Sequence, residues 1–62
     1  MGIIDYLNQA RVAHSKKLLA NTSMSLIDIA NECSFGDQSY FSRVFKRYEG
    51  VSPKQYRFNI IK

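Results

Sequence analysis

Six side chains within residues 37–48 could do chemistry together: Gln38, Ser39, Ser42, Arg43, Lys46 and Arg47. Gln and Arg can make paired hydrogen bonds to base edges, Ser can add single ones, and Lys and Arg neutralise phosphates. At helical spacing the six share one face, with amides and hydroxyls at its N-terminal end and positive charge towards its C-terminal end. An ordinary solvated face would mix Glu with Lys, yet no acid occurs between Asp37 and Glu49. The opposite face carries Phe41, Val44, Phe45 and Tyr48, spaced i, i+3, i+4 and i+7 for burial against a core. This is the make-up a major-groove reading helix needs.

The elements that position such a helix can be read from their punctuation. Residues 3–20 contain no Gly or Pro and predict a long first helix, with Val12, Ser15, Leu18 and Leu19 on one stripe. Asn21, Thr22 and Ser23 break it. A second helix starts after Ser25 as N-cap, with Asp28 three residues on and Met24 and Ile29 placed as a staple; its stripe is Leu26, Ile29, Ala30 and Cys33. Asp37 caps the third helix and Gly50 stops it. Ser52-Pro53 opens a fourth, to about residue 60, with Gln55 placed to complete a capping box. No stretch alternates at period two, so the chain is expected to be all-α. The second and third helices, joined by Ser34-Phe35-Gly36, form a helix-turn-helix over about residues 25–49, and Ala30 is small enough for the next helix to cross closely.

Sixty-two residues make one small domain, near the lower limit at which a core holds without disulfides or metal. Hydrophobic residues at 45% and charged residues at 23% are ordinary globular values and exclude a disordered chain. The net charge of +4 sits entirely in residues 35–62, the half with the candidate reading helix, which favours a polyanionic partner. There is no run of membrane-spanning length, no secretion signal, and one cysteine only, so a reducing cytoplasm is the expected location.

Residues 25–57, SLIDIANECSFGDQSYFSRVFKRYEGVSPKQYR, resemble the second helix-turn-helix of AraC/XylS-type transcription regulators. The resemblance rests on Ile29-Ala30, Phe35, the block from Asp37 to Lys46, Gly50-Val51-Ser52-Pro53 and Tyr56-Arg57. Tyr6-Leu7, Arg11-Val12 and Leu18-Leu19 are similar to the long helix linking that family's two helix-turn-helix units. It implies a homeodomain-like three-helical core behind a linker helix, and a chain that is the C-terminal half of the reading unit of a larger regulator. Its partner would be double-stranded DNA, with RNA polymerase reached through the parent protein. Base contacts would come from Gln38, Ser39, Ser42 and Arg43, which form i, i+4 pairs near the helix N-terminus. Arg43 suits guanine and Gln38 adenine. DNA-backbone contacts would come from Ser25, Tyr40, Lys46, Arg47, Ser52, Lys54 and Arg57, helped by the free amides of helix N-termini. Two positions depart from the family pattern. Ser34 stands where Gly is usual, leaving Gly36 to relieve the turn, and Glu49 replaces a common aromatic, which predicts looser packing there.

Each candidate also has a plainer reading. Lys46 and Arg47 suit a helix C-terminus through the macrodipole. Tyr40 is open between a core edge, a thymine methyl and a phosphate, and Arg57 between DNA and backbone carbonyls of the fold. Phe41, Phe45, Tyr48 and Tyr56 are expected in the core, Cys33 as a small buried hydrophobe, and His14 as a solvated residue without metal-ligand spacing. Asp28 and Glu32 are an acid pair on a chain too short for a catalytic pocket, so no enzyme, metal or cofactor is expected. The alternative to DNA binding is a helical protein-interaction module using the first helix. Ile3, Ile4 and Leu7 would lose cover without a preceding unit and would favour self-association.

Overall fold

A computed structural model describes residues 2–61, for residue 61 the backbone alone. Four helices follow one another: α1 (Ile3–Asn21), α2 (Leu26–Glu32), α3 (Gln38–Glu49) and α4 (Pro53–Ile61), and no strand occurs among the described residues. The helices expected from sequence are all present, with ends shifted by about one residue.

Capping explains the boundaries. Thr22 ends α1: its amide and its Oγ1 both donate to the Leu18 carbonyl, at 3.1 and 2.7 Å. Ser25 Oγ accepts from the Asp28 amide at 3.2 Å, and Asp37 Oδ1 from the Tyr40 amide at 2.7 Å. Gly50, at φ +83°, closes α3 by donating its amide to the Lys46 carbonyl at 2.8 Å. At α4 only half the expected capping box forms. Ser52 Oγ accepts from the Gln55 amide at 3.1 Å, but the Gln55 side chain donates forward to Asn59 Oδ1. The i+4 acceptor on the same face wins over the backward reach.

The turn between α2 and α3 uses two left-handed residues. Ser34 has φ +65° and Gly36 has φ +92°, so Gly36 does not spare Ser34 the strained conformation. Phe35 between them is buried and donates its amide to the Ala30 carbonyl at 2.8 Å. Ala30 is itself fully buried, as a close crossing requires.

Ile29, Phe41 and Phe45 are fully shielded, with Leu19 and Val12 nearly so, and α1 packs against all three other helices. An aromatic run crosses the core: Phe35 to Phe41 at 4.9 Å, Phe41 to Phe45 at 5.8 Å and Phe45 to Tyr56 at 5.4 Å between centroids. Such offset and edge contacts favour one arrangement beyond simple area burial. Ser15 is buried but satisfied, its Oγ donating to the Val12 carbonyl at 2.7 Å. Two inward expectations are met at the core's edge, where both side chains pack against the buried cluster. Tyr48 and Tyr56 are only half-buried, because a phenol keeps its hydroxyl at the core's edge. Glu49 is not left loose either: it is half-buried and accepts an ion pair from Lys16 at 3.2 Å, tying the end of α3 to α1.

Candidate nucleic-acid interface

α3 divides cleanly into two faces. Phe41, Val44 and Phe45 point into the core, while Gln38, Ser39, Arg43, Lys46 and Arg47 are exposed and Ser42 is half-buried. Gln38, Ser39, Ser42 and Arg43 line one shallow depression of about 550 Å³, together with Lys46 from the same helix and Ser52 from the cap of α4. Thus the four base-contact candidates share one open surface, and two backbone-contact candidates border it. The Asp37 carboxylate is held at the cap of α3 by the Tyr40 amide, at the N-terminal edge of this surface.

The remaining backbone-contact candidates scatter. Lys54 is exposed on the first turn of α4, and Ser25 is exposed with its hydroxyl engaged as a cap. Tyr40 is half-buried, its ring 6.2 Å from that of Phe35, and it faces α1 rather than the reading depression. Arg57 is the one candidate turned inward. Its Nε donates to the Leu19 carbonyl at 3.2 Å, Nη1 to Met24 at 2.7 Å and Nη2 to Thr22 at 3.2 Å. The guanidinium satisfies carbonyls at the end of α1 and in the segment that follows it, which supports the structural one of the two roles left open for Arg57.

A second surface lies on the other flank of α3 and was not foreseen. A cleft of about 450 Å³ separates the first turns of α1 from α3, with Asp5 and Asn8 on one wall and Tyr40, Arg43, Arg47 and Tyr48 on the other. The Tyr48 hydroxyl donates to Asp5 Oδ1 at 3.2 Å across it. Partial desolvation, then that bond to a carboxylate, push the Tyr48 phenol up from its ordinary value. Asn8 is 8% exposed, and its Oδ1 is a buried acceptor without a hydrogen-bond partner. The i, i+3 spacing of Asp5 and Asn8 was the available sequence signal, but nothing in the sequence said which face of α1 meets α3.

The lone cysteine and the lone histidine both line an open depression between α1 and α2. Cys33 is buried, and burial, then the Glu32 charge, push its thiol up and so towards the inert protonated form. His14 is exposed on α1. No described helix is long and apolar enough to cross a membrane.

Comparison with known proteins places this surface in context. Residues 1–59 match the family described as a helix-turn-helix domain. The chain is 46% identical over 57 residues to the HTH-type transcriptional activator RhaR of Escherichia coli K12, and equally to that of Shigella flexneri serotype 5b. These alignments cover 92% of the chain and 20% of the relative, so the chain spans about a fifth of the length of the curated relatives it matches. Among solved structures, the C-terminal domain of the two-component response regulator yesN from Fusobacterium nucleatum superposes with a TM-score of 0.88 at 40% identity. That match covers 92% of this chain and 55% of the other.

Proposed function

The chain belongs to the AraC-type helix-turn-helix family, and from that premise we propose that it binds duplex DNA sequence-specifically as one reading unit of a larger transcription regulator, with α3 in the major groove. The observation that carries this reading is the shared depression: Gln38, Ser39, Ser42 and Arg43 converge on one open surface bordered by Lys46 and Ser52. Arg43 reads guanine and Gln38 adenine through paired hydrogen bonds, while Lys46, Arg47 and Lys54 take flanking phosphates. The protein acts in the cytoplasm, as a binder and not as an enzyme. The word activator in the relatives' names supports RNA polymerase as a partner of the whole regulator.

The test is a salt titration of duplex binding by fluorescence anisotropy. A single reading helix with about three or four phosphates in reach should bind in or near the range of about 10⁻⁴–10⁻⁶ M, log K falling against log salt with a slope near −3. Binding independent of salt, or absent at low salt, overturns the proposal.

A second reading has its own observation. Ile3, Ile4 and Tyr6 are 79%, 69% and 67% exposed and Leu7 is 41% exposed, a run of apolar side chains on the first two turns of α1. Exposed apolar groups that lie together are association sites, and a second copy of α1 offers the matching surface for a two-fold pair.

A further inference from the structure

Arg43 alone lines both the reading depression and the cleft between α1 and α3. Its guanidinium has five N–H donors in a fixed fork, and a guanine takes only two of them. The wall of the cleft opposite Arg43 carries the Asp5 carboxylate and Asn8, whose Oδ1 is buried behind that wall and has no hydrogen-bond partner. A buried acceptor without a donor is costly unless some state of the protein supplies one. Tyr48 takes only Asp5 Oδ1, so the carboxylate keeps further lone pairs for a second donor.

We propose that Asp5 and Asn8 are positioning residues for base reading: with the outer edge of Arg43 on a guanine, its inner edge donates to the Asp5 carboxylate and to Asn8 Oδ1. The linker helix then helps set sequence preference without touching DNA. An exposed Arg side chain samples many rotamers, and fixing it before contact removes part of the ordering cost of binding. Asp5 also discriminates by sign. A carboxylate near DNA repels phosphate from every sequence alike, so its net benefit is confined to the sequence on which Arg43 is correctly seated.

The proposal rests on the DNA-reading function above, and the experiment separates the two. A preferred duplex is first selected from a randomised pool by the unaltered chain. Anisotropy then measures its Kd against duplexes changed at each base pair, for the unaltered chain, Asp5→Asn, Asn8→Leu, Arg43→Ala and the double variant Asp5→Asn/Arg43→Ala. Asp5→Asn should reduce discrimination at the base pair that Arg43 reads by roughly 2- to 5-fold, the range of an exposed ion pair, while binding to random duplex holds or tightens. Asn8→Leu should lower discrimination at the same base pair while its thermal midpoint holds or rises, because an orphaned acceptor has been removed. A residue that merely supports the fold would lose stability and affinity for all sequences together. In the Arg43→Ala background, Asp5→Asn should change discrimination no further. If the unaltered chain discriminates but both α1 variants discriminate equally well, the positioning role is overturned. The same holds if Asp5→Asn has its full effect without Arg43. A chain that shows no preference among duplexes overturns the reading function itself.

Discussion

In the proposed reading, residues on α3 divide between those that tell sequences apart and those that hold the duplex, and each class has its own signature. Arg43→Ala should cost roughly 1–3 kcal/mol on a preferred site and flatten preference at one base pair, whereas Lys46→Ala should weaken all duplexes alike. Both side chains are exposed, so neither change should move the thermal midpoint appreciably. A binding-site selection with an unaltered consensus for Arg43→Ala would contradict the assignment. Arg57 should behave in the opposite way. Its three carbonyl bonds tie α4 to the end of α1, and charged hydrogen bonds of this kind support a loss of about 2 kcal/mol for Arg57→Ala. The thermal midpoint should fall by roughly 8–16 °C for a domain of this size, a drop that calorimetry would resolve. The sequence left Arg57 open because a guanidinium serves phosphate and carbonyl equally well. Only the path of the chain after α1 decides between them.

Elements were far more legible than their partners. Caps are local chemistry, so Ser25, Asp37, Gly50 and Ser52 could be read from a few neighbouring residues, and the structure places each at a helix end. The cleft between α1 and α3 was not legible, since it depends on the rotation of one helix against another 40 residues away. The α2–α3 turn shows the same limit on a smaller scale. Ser34 and Gly36 were weighed as alternatives, whereas the tertiary path requires positive φ at both. Ser34→Gly should therefore stabilise the fold by about 0.5–1 kcal/mol, as a left-handed position without a Cβ penalty. Denaturant unfolding would show a higher midpoint at unchanged slope, and a lower midpoint would mean the Ser side chain has a role not visible here.

For the whole molecule, charge and solvent exposure set the expected behaviour. Two groups give it an alkaline edge: the Cys33 thiol and the Tyr48 phenol are both raised in the fold from ordinary values of 9.0 and 10.0. As pH climbs, the unfolded chain releases these protons first, so the folded state binds more protons and stability falls with rising pH. Thermal midpoints should be level near pH 7 and decline above about pH 9, with a shallower decline for Tyr48→Phe; equal slopes would remove Tyr48 from the account. The exposed Ile3, Ile4 and Leu7 give a second expectation. Sedimentation equilibrium should detect dimers at high micromolar concentration, abolished by Ile4→Asp or Leu7→Asp. A strictly monomeric chain, indifferent to both changes, would leave those turns simply solvated.

The bonds of Arg57 also impose an order on biosynthesis. They join residues separated by 33 to 38 positions, so the carbonyls of Leu19, Thr22 and Met24 wait for a donor synthesised much later. While residue 57 is still inside the ribosome, α1 can wind and α2 and α3 can meet, but the junction between α1 and α2 lacks its clasp. Native docking is therefore a late event, following the closure of a long loop rather than growing from the first turns. Nascent chains stalled before and after Arg57 clears the exit tunnel should differ sharply in protease resistance. The end of α1 is thus locked by a helix made well after it.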